Sequence, residues 1–170
     1  MKRGRILNYE LNQAIASMGH YDLMIIADAG FPIPYSVKRV DLALERDVPG
    51  ILQVLDLVSS DLVYERVVVA EEQKLYNPCL FKKIQEYCAG CVLETWPAIR
   101  IVEELAPKAK AVVRTGAFDP WGNVCLFSGV DAARWFDKEG VIVPDFYAER
   151  VRRGAAGAPG ASGVSGATGG

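Results

Sequence analysis

Along this chain, short runs of consecutive apolar residues alternate with stretches in which apolar positions recur every three or four residues. Leu11, Ile15 and Met18 have the second spacing and predict a helix, with Asn8 placed to cap its start and Gly19 to end it in a left-handed turn. Leu23-Met24-Ile25-Ile26-Ala27 contains no polar position, which predicts a strand buried on both faces, bounded by Asp28, Gly30, Pro32 and Pro34. Pro49 suits the first turn of a second helix running to about Asp61, and Val67-Val68-Val69-Ala70 predicts another buried strand. Asn77-Pro78 then opens a helix through Ile84 toward Tyr87. A strand near Val92, a helix over about Ala98 to Leu105, and the runs Lys110–Arg114 and Asn123–Phe127 complete the pattern. Helices alternating with short buried strands imply an α/β sandwich around a largely parallel sheet. In such sheets ligands gather at the carboxyl ends of strands, which singles out Asp28-Ala29-Gly30, Glu71-Glu72 and the loop from Gly116 to Asn123.

Composition narrows the class without changing that picture. With 51% hydrophobic and 24% charged residues over 170 positions, the chain can build a real core, and its length fits one domain or one domain with appendages. The formal charge, 19 basic minus 21 acidic groups, is −2 and provides no basic field for a phosphate backbone, so nucleic acid is not an expected partner. No run approaches the roughly 18 apolar residues of a membrane helix. The start, MKRGRILNYELN, turns polar before a signal-peptide core forms, so no membrane association is expected and the cytoplasm is the expected compartment. Among the cysteines, Cys88 and Cys91 are closely spaced, but with no second pair and no nearby histidine they supply no tetrahedral zinc site. Tyr87 to Cys91 reads as a helix end before a strand, a setting for reduced thiols near the core. From Gly154 to Gly169 a glycine stands at every third position with Pro159 as the one imino acid, far short of a collagen helix and read here as a flexible tail.

Chemistry has few candidates. His20 is the one histidine, and histidine is the residue type that both gives and takes protons near neutrality. Following a predicted helix C-terminus, it could serve only the helix dipole. Asp28, eight residues on at a strand end, supplies the other reading, a carboxylate able to orient the imidazole or to bind a substrate hydroxyl. Trp121 and Asn123 flank Gly122 in a Pro-Trp-Gly-Asn turn, which is either an ordinary packed turn or a sugar platform, the indole covering a C–H face while the amide serves hydroxyls. Glu71 and Glu72 would diverge on a strand, so at most one faces a site, and either could cap a helix. Gly30 alone does not make a phosphate loop, and neither a Gly-x-Ser-x-Gly elbow nor a metal-binding cluster occurs, so nucleotide, hydrolytic and metal-dependent chemistry lack support.

These residues carry a resemblance. Gly19-His20 with Asp22, Asp28-Ala29-Gly30-Phe31-Pro32-Ile33-Pro34, Val40-Asp41-Leu42-Ala43-Leu44, Val48-Pro49, Ala70-Glu71-Glu72 and Val113-Arg114-Thr115-Gly116 closely resemble, in order, the D-ribose pyranase and fucose mutarotase (RbsD/FucU) family. The match runs from Met1 to about Val130, and Ile33-Pro34 with Arg39 and Asp41 looks more like the ribose branch. The resemblance implies an RbsD-like three-layer sandwich in a single domain. It also implies a cofactor-free isomerase that interconverts pyranose and furanose forms of D-ribose or a related aldose, with anomer exchange. By resemblance His20 is the proton donor, and Asp28 with Trp121, Gly122 and Asn123 contacts the monosaccharide. Family members form homo-oligomeric rings, commonly decamers, with sites between neighbouring subunits.

The chain departs from the family in three places. A second histidine of the ribose branch, or an arginine of the fucose branch, is replaced by Ile99, with Arg100 beside it as a possible substitute in the substrate site. Trp121 stands for the usual tyrosine, and Gly122 in the middle of the turn is closer to the fucose branch. Family chains usually end near Val130, so the expected organisation is a family domain over 1–130, an aromatic extension over 131–153 and a glycine-rich tail over 154–170. The competing expectations are a sugar-binding accessory protein of uptake that has lost catalysis and a fucose-type mutarotase.

Overall fold

The structure, a computed structural model, describes residues 2–155. Six strands, β1 (Leu23–Ala27), β2 (Lys38–Asp41), β3 (Tyr64–Ala70), β4 (Val92–Trp96), β5 (Ala111–Arg114) and β6 (Val124–Ser128), form one sheet. Their order is β2-β5-β1-β6-β3-β4. β1 pairs in parallel with β5, β2 with β5 and β3 with β4, while β6 lies antiparallel between β1 and β3. Five strands therefore share one direction, and β6 starts at the edge where the others finish.

The continuous apolar runs have a direct cause, because the sheet carries a core on each face. Met24 and Ile26 of β1 pack with Leu11, Val54, Val58 and Ile84. Leu23, Ile25 and Ala27 face the other way, into Phe31, Ile101, Leu105 and Ala106. The first core is covered by α1 (Tyr9–Ala16), α2 (Ile51–Asp61) and α4 (Pro78–Tyr87). The second is covered by the segment after β4, which is α-helical at α5 (Ala98–Arg100), π-helical over Ile101–Leu105 and 3₁₀ over Ala106–Lys108. Pro107 has no N–H to donate back to Glu103, so a regular α-helix cannot run through it. Two helical layers around a mostly parallel sheet give the three-layer α/β sandwich that the sequence predicts.

Local signals were met unevenly. Asn8 caps α1, its Oδ1 accepting from the Leu11 N–H at 2.8 Å. The left-handed residue after α1 is Tyr21, at φ 68°, instead of Gly19. Pro49 lies before α2 rather than in its first turn, with Gly50 at the N-cap. β2 has no counterpart in the sequence reading, because an edge strand with Val40 as its one buried residue leaves no apolar run. Glu71 and Glu72 open a helix, α3 (Glu71–Tyr76), and the Glu72 carboxylate caps α5 by accepting from the Ala98 N–H at 2.9 Å. Cys88 follows α4, buried, with its thiol pushed up to about 12 by that burial.

The chain divides into two compact units, Met1–Val130 and a second from Asp131 onward. In the second, α6 (Ala132–Trp135) and α7 (Asp145–Ala155) bring Phe136 within 5.1 Å of Tyr147, which also meets Phe146 at 5.0 Å. The aromatic residues of the extension thus pack on one another. α7 continues through Gly154 and Ala155, so the glycine-rich segment does not begin as a tail; its remainder, 156–170, lies outside the described residues. No helix among the described residues is long and apolar enough to cross a membrane.

Candidate functional site

The reversed direction of β6 builds the site. The loop entering β6 falls among the carboxyl ends of β1, β3 and β4, where a pocket of about 170 Å³ opens. Its walls include Asp28, Phe31, Ala70, Val102, Trp121 and Asn123. Three of the predicted site residues therefore converge, from segments nearly a hundred positions apart.

Each is held by specific bonds. The Asp28 N–H donates to Asn123 Oδ1 at 3.0 Å, and the Gly30 N–H donates to Asp28 Oδ1 at 2.9 Å. Arg114 ties down the next residue, its Nε donating to the Ala29 carbonyl at 3.0 Å while its Nη1 pairs with Asp41. The Thr115 hydroxyl donates to the Ala27 carbonyl, fixing the strand end from which Asp28 projects. Trp121 has a left-handed backbone, φ 52°, and Gln73 Nε2 donates to its carbonyl at 2.7 Å. The Tyr76 ring lies 5.3 Å from the indole. Gly122 belongs in this turn because a Cβ there would stand 2.9 Å from both the Cβ and the carbonyl oxygen of Asp119. Gln73, Arg114 and Thr115 brace the pocket. Residue type and spacing did not single out Gln73, since a buried helix glutamine looks alike whether or not a site lies beyond it, while Arg114 and Thr115 appeared only within the motif that carries the resemblance.

Burial raises the pKa of Asp28, with the Gly30 amide, Asn123 and the Phe31 amide pulling it down. Asp119 is raised as well, by burial and then by the negative charge of Asp47. The pocket thus combines a partly desolvated carboxylate, an amide and an indole, a set of groups that suits a neutral polyhydroxy ligand.

His20 is not in that pocket. It precedes β1, whereas Asp28 follows it, and five extended residues at about 3.3 Å each separate the two edges of the sheet by on the order of 13 Å. The Tyr21 N–H donates to the carbonyl of Ser128 at the end of β6, while Asp28 is bonded to Asn123 at its start. Within one chain, therefore, the Asp28 carboxylate does not orient the imidazole as the sequence reading allowed, and its other reading, a ligand for a substrate hydroxyl, is the one its place in the pocket suits. At its own edge His20 Nε2 lies 3.0 Å from Glu65 Oε1, and the imidazole stacks on Tyr21 with centroids 3.8 Å apart. Arg100 does not reach the pocket lining either. Its guanidinium is bonded twice to Glu104 and lies 4.4 Å from the Trp96 ring centroid, although its neighbours Ala98 and Ile101 line the wall.

Comparison with known proteins extends the geometry. The sequence profile described as the RbsD / FucU transport protein family matches residues 1–131. The chain is 50% identical over 151 residues to D-ribose pyranase 1 of Streptomyces griseus, covering 89% of this chain and 100% of that protein. It is 48% identical over 150 residues to D-ribose pyranase 2 of Rubrobacter xylanophilus, covering 88% and 97%. Both matches are longer than the family profile, so the similarity continues into the C-terminal unit. Among solved structures, that of Bacillus subtilis RbsD complexed with D-ribose is similar at a TM-score of 0.73 and 34% identity, over 76% of this chain and 98% of that one.

Proposed function

The chain belongs to the RbsD / FucU family, and from that membership and its pocket we propose that it interconverts the pyranose and furanose forms, and the anomers, of D-ribose or a related aldose. The observation that carries this reading is the convergence of Asp28, Trp121 and Asn123 on one pocket, in a chain half identical to a D-ribose pyranase. Ribose is favoured over fucose by the identity to two ribose pyranases.

Opening a pyranose breaks the bond between the anomeric carbon and the ring oxygen. The anomeric hydroxyl gives up its proton and becomes the aldehyde oxygen, and the ring oxygen gains a proton and becomes a hydroxyl. Closing through a different hydroxyl gives the furanose, and closing on the other face gives the other anomer. Protons are moved and none is consumed, so one acid/base group can serve both directions. His20 is that group in this reading. Asp28 and Asn123 hold hydroxyls, Trp121 stacks on the ring, and Gly122 allows the turn. Arg100, engaged by Glu104 and Trp96, has no part in it.

Because His20 and Asp28 stand at opposite edges of the sheet, a site using both takes them from two chains, and the working form in this reading is a homo-oligomeric ring with sites between subunits. Cys79, Cys88, Cys91 and Cys125 stand outside any disulfide, which suits the reducing cytoplasm. In this reading the family fold occupies 1–130 and 131–153 is an added aromatic segment.

NMR saturation transfer on equilibrated D-ribose tests the reading. The protein should accelerate exchange between ring forms, and His20→Ala should remove most of the gain, about a hundredfold or more. Sugar binding without any acceleration would instead select the non-catalytic accessory role.

A further inference from the structure

Glu65 has no place in the chemistry above, yet its Oε1 lies 3.0 Å from Nε2 of the one histidine. Its position depends on an irregularity of the sheet. β3 pairs with β6 as Tyr64 opposite Ser128 and then Arg66 opposite Phe127, so Glu65 is an extra residue in the ladder. Tyr64 turns toward one core, its hydroxyl 2.8 Å from that of Ser59, and Arg66 is held by Glu94 in a two-bond pair. The bulge between them releases Glu65 from the pairing and lets it reach the loop before β1. Both partners are mostly shielded, with side chains 22% and 19% exposed for His20 and Glu65.

The loop that carries His20 is itself braced. Asp22 Oδ2 accepts from the Gly19 N–H at 2.6 Å and from Lys110 Nζ at 2.5 Å, and the Asp22 carbonyl accepts from the Ser128 N–H at 2.8 Å. Left-handed Tyr21 lays its ring on the imidazole at an interplanar angle of 15°. Stacking fixes the plane of the imidazole, and the bond to Glu65 fixes its rotation within that plane.

We propose that Glu65 is the positioning residue for His20, holding the neutral imidazole as the Nε2–H tautomer and stabilising the imidazolium formed when the ring takes up the sugar's proton. An ionised carboxylate only accepts hydrogen bonds, so a neutral ring facing it must carry its hydrogen on Nε2. The lone pair, and with it the basic site, is then on Nδ1. A proton taken from the anomeric hydroxyl adds there, and the same proton returns to the ring oxygen as the ring opens. The Nε2–H stays on Glu65 throughout, so the transient positive charge forms beside a fixed negative one.

This inference rests on the reading of His20 as the acid/base group, and one experiment separates the two. With the sole histidine labelled, imidazole ¹⁵N shifts report a single residue. The wild-type oligomer should have Nε2 in the protonated range and Nδ1 in the unprotonated range at a pH where the ring is neutral. Glu65→Gln, whose amide can donate as well as accept, should mix the tautomers and lower kcat for ribose exchange by about tenfold or more, with KM within about twofold. Glu65→Leu should lower kcat at least as far. A wild-type ring protonated on Nδ1 when neutral, or wild-type kcat in both Glu65 variants while His20→Ala is inactive, would overturn the role of Glu65 alone. Undiminished exchange in His20→Ala would overturn the acid/base reading, and the role of Glu65 with it.

Discussion

The backbone N–H of Asp28 and the side-chain oxygen of Asn123 are bonded at 3.0 Å, joining the end of β1 to the start of β6 across 95 positions of sequence. The contact makes the geometry of the carboxylate depend on the turn that carries the indole. Asn123→Ala leaves the Asp28 N–H without its acceptor, so the expected cost is about 1–3 kcal/mol in urea unfolding. If Asn123 also holds the sugar, as proposed above, sugar exchange should fall by an order of magnitude or more, because that contact is lost and the Asp28 loop loosens. Full activity in a measurably destabilised variant would reduce the contact to a structural one.

Asp28 itself should oppose folding at neutral pH. Burial raises its pKa from the ordinary 3.8. A carboxyl group with a higher pKa folded than unfolded binds its proton more tightly in the native state. Its favourable contribution is therefore complete below the unfolded value and disappears as pH rises through the folded one. Asp28→Asn should accordingly raise Tm at pH 7, and the gain should shrink as the wild-type carboxylate becomes protonated in acid. The same variant should lose sugar exchange. Calorimetry at pH 7 and pH 3 checks the sign, and a lower Tm at pH 7 would contradict it.

The fold was legible where one cause acted. Leu23–Ala27 is apolar throughout because both faces of β1 are buried, and Asn77-Pro78 announced α4 because a missing N–H costs nothing in a first turn. The edge strand β2 was hidden because Lys38, Arg39 and Asp41 are free to face solvent. The site was half legible for a related reason. Residue types identified Asp28, Trp121 and Asn123, and the direction of β6 brought them together. Spacing along the chain did not reveal that the five extended residues of β1 leave His20 at the far edge from Asp28. Neither did it reveal that a bulge in β3 would give the imidazole a different carboxylate, Glu65.

Gly116 is a backbone requirement of the fold. A Cβ there would stand 2.3 Å from the carbonyl oxygens of both Glu45 and Val48, and neither can swing away as a side chain would. The Gly116 carbonyl and N–H are also bonded to Asp47 and Pro49. Gly116→Ala should destabilise by about 3 kcal/mol or more, at or beyond the upper end of ordinary overpacking, measured as a shift of the urea midpoint at unchanged m.

The cysteines should separate by reactivity. Cys125 is completely buried and Cys88 nearly so, both with thiols pushed up to about 12 by burial, whereas Cys79 is exposed. Thiolate is the reactive form, so a thiol reagent at pH 8 should modify Cys79 promptly and reach Cys88 and Cys125 only after denaturation. Peptide mapping by mass spectrometry after timed labelling reads the order directly. Prompt modification of Cys125 would mean that the core around β6 opens under native conditions.

The separation of His20 from Asp28 has a consequence that a mixing experiment can read. If each site takes its histidine from one chain and its aspartate from another, His20→Ala and Asp28→Asn subunits are each inactive alone but complementary together. A site formed from an Asp28→Asn chain, which supplies the intact histidine, and a His20→Ala chain, which supplies the intact aspartate, is whole. Random co-assembly at equal amounts should make about a quarter of the sites whole, so exchange should recover to roughly that fraction of wild type after co-refolding. Separately folded variants mixed without subunit exchange should stay inactive. No recovery in verified mixed oligomers would mean that the two residues do not serve one shared site.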